Sequence, residues 1–234
     1  MRTAMIVMGL FGVLVVAIVL LLGDPLGTST RTDGLRPAPV TRNTPVAQGI
    51  PLPAGLDLVG WSRDTADRTA IPARALRAYA AAELDQRAVT PDCRLSWTTL
   101  AGIGRVESDH GRWRGTELGS DGVARPPIIG VQLDGSPGVA EIRDTDGGRL
   151  DGDPTYDRAV GPLQFLPATW ARYGGNGDPQ NIDDAARAAA AYLCAKGRDT
   201  ASGVGWWDGV LTYNRSVEYA QLVWAAANRY ATAP

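Results

Sequence analysis

The order of apolar and polar positions divides the chain into three regions. Across residues 4–23 (AMIVMGLFGVLVVAIVLLLG) no side chain is charged. At helical rise such a run covers roughly 30 Å, the thickness of a bilayer's hydrocarbon core. The pattern predicts a membrane-spanning helix within residues 1–23. A cleaved signal peptide is the competing reading. Its apolar core usually runs roughly 7–15 residues and ends at a small-residue cleavage site, whereas GDPLGTST follows here with no A-x-A pattern. Over residues 24–69 Pro, Gly, Thr and Arg crowd the sequence and periodicity fades. That stretch predicts a disordered linker with a mean reach on the order of 35–40 Å.

Residues 70–234 carry the signals of a folded, mainly α domain. The spacing of Leu76, Tyr79, Ala80 and Glu83 predicts a helix over 71–87, with Pro72 in its first turn and Thr69 as a cap. Ser96 opens a second helix through Trp97, Leu100, Ala101, Gly104 and Val106, with Gly111 as its stop. Residues 111–160 are rich in Gly, Asp and Pro and weak in period, which predicts a long irregular excursion with a short hairpin. Helical signals return at 167–173, ahead of Gly174 and Gly175, and at 183–196, ahead of Gly197. A last helix begins at Ser216 and sets Tyr219, Val223, Ala226 and Tyr230 on one stripe.

Composition changes this picture mainly by exclusion. A net charge of -2 over 234 residues offers nothing to a nucleic acid. His110 is the single histidine, so multi-histidine zinc sites are ruled out and a Ser-His-Asp triad would need His110 itself. Cys93 and Cys194 lie near opposite ends of the domain. They admit a disulfide, as a translocated chain would form in an oxidising compartment, or two buried thiols. The run DTDGGRLDGD holds Asp144, Asp146, Asp151 and Asp153, which admits a calcium loop or a polar turn. It lacks the bidentate Glu of an EF-hand, for Thr155 stands at the twelfth position. No metal and no cofactor is assigned.

Glu107, in GIGRVESDHG, falls at the end of an apolar helix just before a polar turn. Burial and the negative end of the helix dipole both raise a carboxyl pKa there. A carboxylic acid that keeps its proton near neutral pH is what glycosidic cleavage needs. A Glu near a helix end is usually a solvated residue, so this position alone favours that reading over catalysis.

Three segments in order, GIGRVESDHG, AVGPLQFLPATW and LTYNRSVEYAQLV, resemble the signature strips of lysozyme-like lytic murein transglycosylases, particularly the B type common in actinobacterial walls. The resemblance covers about residues 70 to 232 and implies a lysozyme-like (α+β) domain with a long irregular loop region. It implies Glu107 as the catalytic acid/base and Ser108, Gln164, Phe165, Tyr213 and Asn214 as substrate-binding residues. Gly161 and Pro162 would fix the turn that presents Gln164, and Tyr213 would hydrogen-bond Glu107 or the departing sugar oxygen. Trp113, Trp170, Trp206 and Trp207 are candidate platforms for sugar faces, most of them expected in the core. Where B-type relatives often insert an Asp/Gly-rich segment, only Gly174, Gly175, Asn176, Gly177 and Asp178 stand here, and Asp183 or Asp184 would cap the next helix or line the cleft.

The implied partner is the glycan strand of peptidoglycan, met by a domain outside the cytoplasm that faces the cell wall from a membrane anchor. The implied reaction cuts the MurNAc-GlcNAc bond without water and leaves 1,6-anhydromuramic ends. A hydrolytic muramidase, with Asp109, Asp121 or Asp157 as second carboxylate, and a non-catalytic wall-binding protein are the alternatives.

Overall fold

The computed structural model describes residues 35–233. The predicted membrane span and the first part of the linker lie outside them. Among the described residues no helix is long and apolar enough to cross a membrane. The fold is mainly helical: α1 (Leu58–Thr69), α2 (Ala73–Val89), α3 (Trp97–Ser108), α4 (Pro167–Tyr173), α5 (Ile182–Cys194), α6 (Gly203–Tyr213) and α7 (Val217–Ala231).

α3 packs chiefly on α7, and α2 on α5. Small residues set both distances. A Cβ on Gly102 of α3 would lie 2.8 Å from the Val223 carbonyl oxygen of α7, so glycine is what allows the two backbones to touch there. Ala185, Ala186, Ala188, Ala189 and Ala190 bury the inner side of α5, facing an α2 whose own buried side includes Ala75, Ala78 and Ala82. The caps follow elementary rules: Ser96 accepts from the Thr98 N–H at the start of α3, and Ser216 from the Tyr219 N–H at the start of α7. For α5 the cap is Asn181. Asp183 instead pairs with Arg74 of α2, and Asp184 pairs with Arg187 while accepting from the Asp178 N–H.

The linker expectation is corrected between residues 35 and 69. Residues 35–57 form an extended strap, and 58–69 is helix. The strap fails to show periodicity because its polar backbone, not a side-chain stripe, holds it. Gln221 Nε2 donates to the Val40 carbonyl, Trp207 Nε1 to Thr44, and Trp224 Nε1 to Pro45, while the Ala47 N–H donates to Asn228 Oδ1 at 2.8 Å. Glu83, buried in α2, accepts from the Leu52 N–H at 3.3 Å and from the Trp97 N–H at 2.8 Å, so one carboxylate joins the strap to the start of α3. Val46 and Leu52 are both buried. α6 is the other helix absent from the sequence reading. Its glycines obscure it, and they mark close packing: a Cβ on Gly203 would sit 1.9 Å from the Asn43 carbonyl oxygen of the strap.

The excursion between α3 and α4 holds two short antiparallel pairs, β1 (Glu117–Leu118) with β2 (Ala124–Arg125) and β3 (Ile129–Gln132) with β4 (Arg158–Val160). The loop between β3 and β4 is tied by its own aspartates. Asp144 accepts from the Asp146 and Gly148 N–H groups, and Asp146 from those of Arg149 and Leu150. Asp151 accepts from Arg158 N–H, Asp153 from Gln132 and Arg158, and the buried Asp157 from Thr145. These bonds describe the polar-turn reading; among the described residues no cluster of His, Cys, Asp or Glu is placed to hold a metal.

Cys93, in the turn before α3, is bridged to Cys194 at the end of α5, with Cα atoms 5.5 Å apart and a sequence separation of 101. In the chain-entropy account a loop of this size is worth about 4–5 kcal/mol. Reduction is expected to lower the urea midpoint accordingly. A chain starting at residue 35 is expected to unfold cooperatively, whereas one starting at 70 loses the burial of Val46 and Leu52, roughly 1.5–3 kcal/mol each, besides the α1 packing. Thermal melts followed by circular dichroism compare the two, and equal midpoints would show that strap and α1 contribute nothing.

Candidate active site

Glu107 occupies the last turn of α3, where the helix leaves the core and turns through the left-handed Asp109. Its side chain is half-buried at the floor of a narrow pocket lined by Gln164, Phe165, Leu166, Thr169, Tyr192, Thr212 and Tyr213. Glu107 is the pocket's single carboxyl group. Part of the side chain remains reachable while the carboxylate is surrounded by protein, and this desolvation pushes its pKa up to about 8. A hydrogen bond from Tyr219 opposes the shift: the Tyr219 hydroxyl donates to Oε1 at 2.6 Å. One oxygen is thereby occupied, which leaves the acid proton to Oε2, free to be given away.

The strip after β4 forms the facing wall. Gly161 takes φ 80°, and a Cβ there would fall 1.8 Å from the Pro179 carbonyl oxygen, so this position admits only glycine. Gln164 also takes a left-handed φ of 48°, uncommon for a residue with a side chain. Its Nε2 donates to the Gly161 carbonyl at 2.9 Å, which fixes the amide at the pocket edge. Phe165 is buried, edge-on to Trp170 at 5.4 Å and to Tyr213 at 5.6 Å, and shows one margin to the pocket.

The sequence-predicted site residues thus separate into two sets. Glu107, Gln164, Phe165 and Tyr213 meet at the pocket. Ser108 and Asn214 are not among its lining. Ser108 is 2 % exposed; its hydroxyl donates to the Pro162 carbonyl at 2.6 Å and accepts from the Gly111 N–H at 2.8 Å, so it clamps the strip to the end of α3. Asn214 is buried beyond the end of α6, accepts from the Ser216 N–H at 3.0 Å, and keeps an Nδ2 with no partner among the described residues. Tyr213 is not the group that touches Glu107: its hydroxyl donates to the Leu163 carbonyl at 2.6 Å, holding the strip from the other side. The partner of Glu107 is Tyr219. It was legible only as the first member of the buried stripe on α7, the one that the α3–α7 packing brings opposite the acid.

The remaining candidates lie elsewhere. Trp170, Trp206 and Trp207 are core residues, and Trp113 is half-buried beneath Arg114 at 4.4 Å. Tyr192 is an aromatic pocket residue that the sequence reading did not single out; its hydroxyl donates to the Thr212 carbonyl at 2.9 Å. Asp109 pairs with Arg105 and Arg112, Asp121 with Arg125, and Asp157 is enclosed in the β3–β4 loop. A larger cavity of about 280 Å³ lies between the strap, α1 and Tyr230, but no carboxyl group lines it. Compared with known proteins, the chain matches no family model, no curated protein and no solved structure.

The raised pKa makes the acid a measurable burden on stability. Between the ordinary carboxyl value of about 4.3 and the folded value, the native state holds a proton that the unfolded chain has released. Stability therefore falls as pH rises through this window, up to about 8. Glu107→Gln keeps an acceptor for Tyr219 and does not titrate, so its advantage over the wild type in urea midpoint is expected to grow from acid to alkaline pH. A constant difference would mean that Glu107 titrates normally. Tyr219→Phe removes the bond that favours the carboxylate and is expected to raise the Glu107 pKa further, read by carbon NMR of labelled glutamate.

Proposed function

We propose that this protein is a peptidoglycan lytic transglycosylase in which Glu107 acts first as acid and then as base. The observation that carries the reading is a single desolvated carboxyl group, alone of its kind in its pocket, with one oxygen held by a tyrosine. Glycosidases that use water or a covalent intermediate ordinarily need two carboxyl groups flanking the bond. A pocket with one suits a reaction whose nucleophile is built into the substrate.

Glu107 gives its proton to the oxygen that joins the muramic residue to the next sugar, and the C1–O bond breaks as positive charge develops on the muramic ring. The resulting carboxylate, its charge steadied by the Tyr219 hydrogen bond, then takes the proton of the C6 hydroxyl. That oxygen closes on C1, and the product is a 1,6-anhydro ring with Glu107 protonated again. No water is consumed. Gln164 offers its amide at the pocket edge to an acetamido group, and Phe165, Tyr192 and Tyr213 supply apolar ring edges and faces. The Cys93–Cys194 bridge fits a domain working in an oxidising space outside the cytoplasm. The uncharged run at residues 4–23 would hold that domain to the membrane.

The test is digestion of purified peptidoglycan by residues 35–234 and by the Glu107→Gln variant, with products identified by mass spectrometry. Anhydromuramic ends are expected from the wild type, with Glu107→Gln slower by about 10²–10⁴-fold or more. Reducing ends would assign a muramidase instead, and no products would leave a wall-binding module. Because the acid must be protonated, kcat/KM is expected to decline as pH rises through about 8. A rate still climbing above that value would remove Glu107 from the acid role.

A further inference from the structure

His110, the chain's one histidine, is 1 % exposed and takes no part in the acid pocket. It lies in the turn directly after α3, where Asp109, His110 and Gly111 take consecutive φ values of 51°, 60° and 86°. The imidazole spans two helices: Nδ1 is 3.2 Å from the Tyr79 hydroxyl of α2, and Nε2 is 3.0 Å from the Tyr230 hydroxyl of α7. The His110 N–H returns to the Gly104 carbonyl at 2.8 Å, so the turn folds back beneath α3. A Cβ on Gly104 would lie 2.0 Å from the Tyr79 hydroxyl oxygen, so glycine is what leaves room for this contact.

The direction of the hydrogen bonds follows from burial. Tyr79 is 0 % exposed, and the imidazole is the partner of its hydroxyl among the described residues. That hydroxyl proton needs an acceptor, which makes Nδ1 the acceptor and places the ring proton on Nε2, donating to Tyr230. Tyr230, 7 % exposed, borders the cavity beside the strap. The arrangement therefore requires a neutral ring. A second proton on Nδ1 would turn against the Tyr79 hydroxyl and leave that group's proton without an acceptor.

The charges around the ring oppose protonation as well. Tyr79 faces it from α2, Tyr230 from α7, Arg105 from α3, Asp109 from its cap and Arg112 from the chain beyond. Asp109 is already paired with both arginines. Burial first, and then Arg112 and Arg105, hold the imidazole pKa well below its usual value.

We propose that His110 is a positioning residue and an acid-sensitive latch: its neutral ring pins the turn after α3 between α2 and α7, and protonation releases that turn together with Glu107. The latch is a property of the fold, and only its consequence for rate rests on the transglycosylase reading. The unfolded chain binds the proton near pH ~6.5 and the native state only at lower pH. The contribution of the latch is thus present above about 6.5 and lost as pH falls toward the native value. A reaction that needs only a protonated Glu107 would keep a level rate on the acid side; the latch adds an acid limb.

A single histidine gives a single imidazole signal, so the full chain labelled with ¹⁵N- and ¹³C-histidine can be titrated without assignment. Expected are the Nε2–H tautomer at neutral pH, no protonation through pH ~6.5, and a lower transition that coincides with loss of near-ultraviolet circular dichroism. Protonation near pH ~6.5 with that signal intact, or the Nδ1–H tautomer, overturns the latch. His110→Gln, which donates toward Tyr230 and does not titrate, is expected to shift the acid transition lower by at least about one pH unit; an unshifted transition also overturns it. Should that variant not fold, the wild-type titration decides. On peptidoglycan, an acid limb at the NMR midpoint supports the coupling to Glu107, and a level rate through it refutes that coupling. Inactivity at every pH with the NMR result as expected refutes the transglycosylase reading and leaves the latch standing.

Discussion

The close approach of α3 and α7 is the constraint from which the candidate site follows. It depends on Gly102, where the Val223 carbonyl stands closer than any side chain would permit. With the two backbones in contact, the last turn of one helix lies against the first turn of the other, and Glu107 meets Tyr219. Burial of the carboxyl group at this place removes water from it and so raises its pKa. The tyrosine contact is a consequence of this helix pair, while the burial of Glu107 is shared with Gln164, Phe165, Tyr192 and Tyr213 around the pocket.

Around this pair the structure uses hydrogen bonds to carbonyl groups as fasteners. Ser108 and Tyr213 hold the two sides of the Pro162–Leu163 step, so the strip bearing Gln164 is fixed from both α3 and α6. Two residues that resemble substrate contacts in the sequence thus act on the protein's own backbone. Both thereby set where the Gln164 amide stands, and Tyr213 lines the pocket as well.

Helices whose apolar stripes alternate with polar residues were readable from the sequence, as were the ends marked by Ser96, Ser216 and Gly174. The strap and α6 were not. A segment held by main-chain groups leaves no side-chain period, and Pro-rich composition then looks like a linker even where Val46 and Leu52 enter the core. In α6 the residues that lower helix propensity, Gly203 and Gly205, are the ones its neighbours require. At the site, Glu107 was singled out by the resemblance of the strips around it, since its place at a helix end alone favours a solvated residue. Tyr219 was not, because its apolar body belongs to a core stripe and only its hydroxyl belongs to the site; nothing in a one-dimensional pattern separates the two.

The covalent bridge divides the molecule unequally. The segment from Cys93 to Cys194 closes into a ring that contains Glu107 and the Gln164 strip, while Tyr213, Tyr219 and the strap's anchors on α6 and α7 all lie outside it. Closing that ring needs only the segment between the two cysteines, and α6 and α7 are not part of it. Glu107 and Tyr219 therefore sit on opposite sides of the covalent tie, joined to each other only through packing and a hydrogen bond. The last helix completes the candidate site and also clasps the strap, so the docking of α7 couples the surroundings of Glu107 to a segment that precedes α1.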